Sequence, residues 1–276
     1  MGKDWSKGLT AATDDRIARN AVAHRGLRYR PRHGDRRALI PLEWSPRMAY
    51  IVGLMATDGC LVGDRRHLAL TSADIDLLRT FRALIGKPTA KIRFKTSALG
   101  SAYDVQFGDV ALWRFLETAG LTPRKSLTLG EIRVPDEYFF DCARGLLDGD
   151  GSIANFVHAP TRRAYPEYRY ERLIVKFHSA SRAHIDWLRE AVLRLAGRRG
   201  HVAANLPEGR SNPVYVLKYG KHASIALLEE MYREPTSPRL QRKFEIWREY
   251  SARHGRRSEC VRDAHDGSVQ CGATPT

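Results

Sequence analysis

A nine-residue stretch occurs twice in this chain, and that duplication constrains the fold more than any other feature. IVGLMATDG at residues 51–59 is answered by ARGLLDGDG at residues 143–151, so that Gly53, Leu54, Asp58 and Gly59 return as Gly145, Leu146, Asp150 and Gly151 at a constant offset of 92. The hydrophobic periods around the two copies follow one order. In the first half, Ser45 caps a helix that opens on Pro46 and runs to about Asp58, where Gly59 is expected to take a left-handed cap. Strands follow at 60–62 and 67–71, then an amphipathic helix over 74–85. A hairpin of 91–95 with 103–107 comes next, and then a helix over 110–119 that Gly120 stops. The second half begins with a helix over 136–150, and its strands 152–157 and 173–178 flank a basic, tyrosine-rich insertion. A helix over 185–196, strands 201–204 and 214–219, and helices over 223–232 and 239–250 complete it. Phe107-Gly108 matches Tyr219-Gly220. The pattern predicts an α+β chain of two pseudo-symmetric αββαββα halves, 46–135 and 136–250, with antiparallel sheets. Residues 1–45 form a basic N-terminal arm, and 251–276 are expected to be a disordered tail.

The two repeated helices share a second property. On a wheel of about 100° per residue, Ala49, Gly53, Ala56 and Thr57 fall on one side of the first, and Met48, Ile51, Leu54 and Met55 on the other. Gly145 and Gly149 share one face of the second, opposite Phe140, Ala143, Leu146 and Leu147. Glycine costs about 1 kcal/mol per residue in a helix, so a glycine stripe on both implies that their backbones approach there. Such packing brings Asp58 and Asp150 together. Two like charges, each at the negative end of a helix dipole, gain nothing from folding alone. A divalent cation reverses that balance. Oxygen-only ligands favour Mg²⁺ (or Mn²⁺), which keeps several waters and recruits phosphate oxygens. DGDGSI (148–153) also looks like the start of a calcium loop, but Val157 stands where that loop needs a bidentate glutamate.

Charge points to the same class of ligand. Lys and Arg number 46 against 31 Asp and Glu, a net charge of +15. An anionic partner relieves that self-repulsion, and nucleic acid fits better than membrane because no basic amphipathic anchor is present. The arm carries Arg25, Arg28, Arg30, Arg32, Arg36 and Arg37 among His24, Tyr29 and His33, with a short helix around 14–24. Cys60, Cys142, Cys260 and Cys271 form no CxxC pair, which argues against zinc fingers and disulfide frameworks. Apolar runs are short and broken by charge, and residues 1–19 lack a signal-type stretch. A cytoplasmic, nucleoid-associated protein of bacterial or phage type is expected.

The repeated stretches resemble the LAGLIDADG homing endonuclease family, over about residues 46–250. The resemblance implies a monomer whose two saddle-shaped sheets straddle double-stranded DNA and which cuts both strands with Mg²⁺ in the course of intron homing. It implies that Asp58 and Asp150 bind metal, helped by the carbonyls of Thr57 and Gly149. It also assigns Lys125 in TPRKSL (122–127) and Lys243 in LQRKFE (240–245) to polarising solvent or stabilising phosphate charge. Ala56 departs from the pattern where Asp148 keeps the earlier acid. Thr71 or Ser72, and His178 or Ser179, are candidates for positioning water. Alternate strand residues should face DNA. Arg65, Arg66, Arg93, Lys95, Arg162, Arg163, Arg169, Arg172, Lys176, Lys218 and Lys221 are the expected contacts.

Two other readings use the same scaffold. One is a catalytically silent DNA-binding regulator or RNA maturase, although retention of both acids favours cutting. The other is an intein-embedded nuclease, which the absence of a splicing Cys or Ser start and of a His-Asn end argues against.

Overall fold

The structure is a computed structural model that describes residues 10, 12–24, 40–97, 100–158, 170–206, 209 and 211–263. Met1–Arg37 and Ala38–Thr276 are separate units. In the first, helix α1 spans Asp15–His24. Asp14 starts it by accepting from the Arg16 and Ile17 main-chain N–H groups at 2.9 and 3.4 Å. The six arginines expected along the arm lie outside the described residues. The second unit begins earlier than the expected boundary at 46, because Ile40 is buried and Leu42 and Trp44 pack on the core.

Helix α2 covers Pro46–Thr57, and Ser45 Oγ accepts from Met48 N at 3.2 Å. Every residue from Met48 to Ala56 is buried. A helix apolar on all sides belongs at the centre of a fold. Strands β1 (Gly59–Leu61) and β2 (His67–Ser72), helix α3 (Ile75–Leu84), strands β3 (Ile92–Ser97) and β4 (Gly100–Gly108), and helix α4 (Val110–Thr118) follow. After two 3-10 turns, Lys125–Leu127 and Asp136–Tyr138, helix α5 runs Phe139–Asp148. The second half continues with β5 (Ser152–His158), β6 (Tyr170–Ser179), α6 (Arg182–Ala196), β7 (His201–Asn205), β8 (Val214–Tyr219), α7 (Lys221–Met231) and α8 (Gln241–Asp263).

Each half holds one four-stranded antiparallel sheet, ordered β1-β2-β4-β3 and β5-β6-β8-β7. Alternation sets the faces. In the first sheet the aligned row Leu61–Leu68–Phe107 and the aligned pair Leu70–Val105 are buried against the helices. Their neighbours Cys60, Ala69, Gln106, Thr71, Asp104 and Arg93 share the opposite face. In the second sheet Val175–Tyr219 and Phe177–Leu217 face the core, while Lys176, Lys218 and His201 line the other side. No described helix is long and apolar enough to cross a membrane.

Three expectations are corrected. Gly59 does not adopt a left-handed cap; it already belongs to β1, and no positive φ occurs there. Its missing side chain serves a close approach instead, since a Cβ there would stand 2.5 Å from Met55 Cα. The second repeated helix is shorter than 136–150. Its start is a 3-10 turn, and Gly149 with ψ −98° ends it, so Asp150 lies beyond the helix. The last helix does not stop at Tyr250. Residues 251–263 continue α8, and Arg253 and His254 both engage Glu171 of β6. The rest of the expected tail, 264–276, lies outside the described residues.

Candidate functional site

Helices α2 and α5 meet at their glycines, and the contact is reciprocal. A Cβ on Gly53 would strike the carbonyl oxygen of Cys142, and one on Gly145 would strike that of Tyr50. Tyr50 and Cys142 are themselves related by the 92-residue offset. Each added Cβ would also come within 2.9 Å of the other glycine's Cα. A residue that touches its own counterpart lies beside the pseudo-two-fold axis. One turn later Thr57 packs against Gly149, its counterpart, where a Cβ would overlap the Thr57 hydroxyl. The next pair along the axis is Asp58 and Asp150.

Their electrostatics follow from that placement. Burial, and then the charge of Asp150, push the Asp58 carboxyl up to about 7. Desolvation also raises Asp150, against the pull of Lys125, Lys243 and His178. Among the described residues no ion pair closes on either carboxylate. The Ser72 hydroxyl accepts from the Asp74 N–H at 3.2 Å, and its proximity to Asp58 pulls that carboxyl down. His178 Nδ1 donates to the Asp150 main-chain oxygen at 2.9 Å. Strand register explains the difference between the halves. Cys60 pairs with Ala69 and its counterpart Ser152 with Lys176, so Thr71 and His178 hold equivalent places, and only the second carries a side chain that reaches the carbonyl of the acid. Of the four water-positioning candidates, His178 bonds the main chain of Asp150, and Ser72 lies close enough to influence the Asp58 carboxyl.

Both expected lysines arrive at this seam, but their ammonium groups point to the main chain. Lys125 donates to the Gly59 carbonyl. Lys243 lies among four carbonyls, those of Leu147, Asp148, Gly149 and Gly151, at 2.7, 2.9, 3.2 and 2.7 Å. Carbonyls at a helix C-terminus lack intrahelical donors, and Lys243 supplies them at the end of α5. Burial lowers both amines, Lys243 to about 8. In this structure both ammonium groups thus anchor the segment that carries the acids.

The donor set suits a hard cation. Among the described residues no cluster of three or more His, Cys, Asp and Glu could hold a metal. Two carboxylates with adjacent carbonyls leave most positions to water or a phosphate oxygen, which is the habit of Mg²⁺. The Gly149 carbonyl is partly engaged by Lys243, whereas the hydroxyl of Thr57 bonds back to Leu54 at 3.0 Å.

The expected DNA contacts divide into groups. Arg172, Lys176 and Lys218 lie on the exposed side of the second sheet, with Lys176 directly opposite Lys218. Arg93 and Lys95 lie on the exposed side of the first. Arg65 sits in the β1–β2 turn with φ 56°, and the Arg66 side chain lies beside Gly108. Lys221 is not on a strand; it opens α7, and its ammonium stands 5.7 Å from the Tyr250 ring centre. Arg162, Arg163 and Arg169 lie outside the described residues. Sequence reasoning missed Asp104 and Gln106, which sit two apart in β4 on the face away from Val105 and Phe107. Their alternation with those apolar residues was the available signal.

No family model matches the chain, and no curated protein matches it. Several solved structures do. The homing endonuclease I-DmoI, as mesophilic variants, aligns at 15% identity and TM-score 0.47, covering 74% of this chain and 97% of that one. The meganuclease I-SmaMI bound to uncleavable DNA aligns at 12% and 0.44, covering 66% and 80%. Full-length DUF199/WhiA from Thermatoga maritima aligns at 13% and 0.46, covering 82% and 70%. At such identities and TM-scores none of these likenesses bears on activity. The structural neighbours of this chain are LAGLIDADG proteins, and some of them are nucleases.

Proposed function

We propose that the protein is a site-specific double-strand DNA endonuclease of the homing type, acting as a monomer and dependent on Mg²⁺ or Mn²⁺. One observation carries this reading. The reciprocal glycine contact sets Asp58 and Asp150 near enough for the charge of one to raise the other, and among the described residues no direct ion pair closes on either carboxylate. Folding alone does not favour such a pair, and a cation shared with a phosphodiester does. Bound there, the ion would supply Lewis-acid stabilisation of charge on the scissile phosphate. The chain's own residues do the rest. Asp58 and Asp150 provide the negative donors, with the Ser72 hydroxyl near the first. Lys125 and Lys243 hold the main chain at both acids and moderate the local negative charge. Because the acids are paired about a pseudo-two-fold axis, each can serve one strand of a duplex. The net charge of +15 and the basic exposed sheet faces support a polyanionic partner.

The test is cleavage of supercoiled DNA carrying a pool of candidate sites, with Mg²⁺ and with EDTA. Wild type linearises its target only with the cation, and Asp58→Asn and Asp150→Asn lose cutting while still binding. Cutting by both variants at the wild-type rate defeats the mechanism. Binding without nicking of any DNA favours the silent regulator on the same scaffold.

A further inference from the structure

We propose that Arg93, Gln106 and Lys95 form a guanine-reading cluster on the exposed face of the first sheet, oriented by the buried carboxylate of Asp104. This rests on the DNA-binding part of the function proposed above and names what that face reads. Asp104 is only 1% exposed, yet its side chain belongs to the sheet face away from the core. Register puts it beside Arg93. Arg93 Nε donates to Oδ1 at 3.2 Å and Nη2 to Oδ2 at 2.6 Å, while Lys95 Nζ reaches Oδ2 at 3.0 Å. The second Nη2 hydrogen goes to Gln106 Oε1 at 3.0 Å.

Those bonds determine what is left for a ligand. A guanidinium has donors only, so Gln106 must turn its carbonyl oxygen toward Arg93 and its NH₂ away. Arg93 Nη1, the Gln106 amide and the remaining Lys95 hydrogens are all donors. In the major groove only guanine offers two adjacent acceptors, N7 and O6; cytosine presents a donor, adenine one of each, and thymine one acceptor beside a methyl. A cluster of donors alone matches guanine and mismatches the others.

Phosphate also accepts hydrogen bonds, and charge separates the two cases. Asp104 cancels one of the two positive charges here, which weakens attraction to a phosphate while keeping the donors rigid. The second sheet shows the contrast. By register, Val216, Ala203, Lys218 and Asn205 occupy the places of Asp104, Arg93, Gln106 and Lys95. Among the described residues that face carries no carboxylate, and it sets Lys218 against Lys176, an arrangement suited to backbone contact.

The experiment selects binding sites from a randomised duplex library with the full-length protein in Ca²⁺. It then places 7-deazaguanine, which lacks N7, at each selected guanine. The expected result is at least one guanine at which deaza substitution weakens wild-type binding about ten-fold. Arg93→Ala and Gln106→Ala each weaken binding to the selected duplex toward the wild-type level on the deaza duplex, and deaza substitution at that guanine then costs either variant nothing further. Gln106→Ala leaves the Asp104 ion pairs untouched, so it decides the matter if Arg93→Ala misfolds. Selected sites without such a guanine, or a preference unaltered in Gln106→Ala, overturn the proposal while leaving DNA binding intact. Failure to bind any duplex overturns it together with the proposed function.

Discussion

Tyr50 of α2 donates its hydroxyl to the buried carboxylate of Asp148 in α5 across 2.8 Å. The same oxygen accepts the Leu240 main-chain N–H at 2.8 Å, in the turn that leads into α8 and Lys243. One carboxylate thus ties both central helices to the segment that holds the site. In the first half Ala56 stands at the equivalent place and makes no such tie. Burial pushes Asp148 up to about 6 despite these donors, so each of them matters. Tyr50→Phe is expected to cost about 1–3 kcal/mol, the range for removing one partner of a buried polar group. Urea unfolding measures it as a lower midpoint at unchanged slope. An unaltered midpoint contradicts the linkage.

The glycine seam makes a sharper prediction. Alanine is favoured over glycine in a helix by about 1 kcal/mol, so a neutral site would gain from the change. At Gly53 and Gly145 the new methyl meets backbone on the facing helix, and neither helix can yield without parting the seam. Gly53→Ala and Gly145→Ala should each lose at least ~1–3 kcal/mol, the usual range for overpacking. Gly63 has open space around it, and Gly63→Ala should change stability by less than about 0.5 kcal/mol. Parallel denaturant titrations of the three variants decide the matter. A seam variant as stable as Gly63→Ala means the helices do not touch there.

Much of this was legible in the residues, for a physical reason. The repeat and the small-residue stripes are local patterns with a regular period. They specify which helices pair, on which faces, and hence that Asp58 and Asp150 meet. What stayed hidden depends on contacts between residues far apart in the chain. The carbonyl cage around Lys243 joins residues more than 90 positions apart, and nothing in LQRKFE announces it. The same holds for Tyr50 with Asp148. Gly59 was misread because glycine after a helix signals a left-handed turn, whereas here it permits close approach to Met55. Arg93 stands out in the sequence only as a DNA contact, because its pairing with Asp104 depends on the register of the hairpin.

The two lysines should differ in weight. Lys243 has four carbonyls within reach of its three N–H donors, and Lys125 has one. A buried carbonyl left without a donor costs about 1–3 kcal/mol. Lys243→Met should therefore destabilise by roughly 3 kcal/mol or more, and Lys125→Met by about 1–3. Both should reduce cutting, since each anchors main chain beside an acid. Thermal unfolding of the two variants in EDTA reads the stability difference directly. Equal losses would deny Lys243 its structural role.

His184 gives the pH dependence. It is 3% exposed, donates from Nδ1 to the Gly130 carbonyl at 2.9 Å and stacks on Trp187. Burial lowers its pKa from 6.5 to about 4. Between those values the unfolded chain takes up a proton that the folded chain refuses. This contribution is full above about pH 6.5 and is lost as pH falls toward 4, up to ~3 kcal/mol. The raised acids of the seam act in the opposite sense, so the comparison must be between wild type and His184→Gln. Urea midpoints from pH 4.5 to 7 should rise less steeply in the variant. Parallel curves would show that His184 does not carry the slope.

Lys176 and Lys218 face each other across the exposed side of the second sheet, with His201 next in the row. Like charges directly opposite destabilise a strand pair, so the free protein pays for this arrangement. A phosphate backbone lying across the row would offset it. Each lysine that neutralises a phosphate releases condensed counterions, and the slope of log K against log salt steepens by about 0.9 for duplex DNA. Lys176→Ala and Lys218→Ala should each flatten that slope by about 1, weaken binding alike on all sequences, and leave base preference unchanged. The free variants should also unfold at slightly higher denaturant than wild type. The decisive measurement is fluorescence-anisotropy titration of the selected duplex at several salt concentrations. A slope identical to wild type in both variants removes this row from the DNA interface, whatever their absolute affinity.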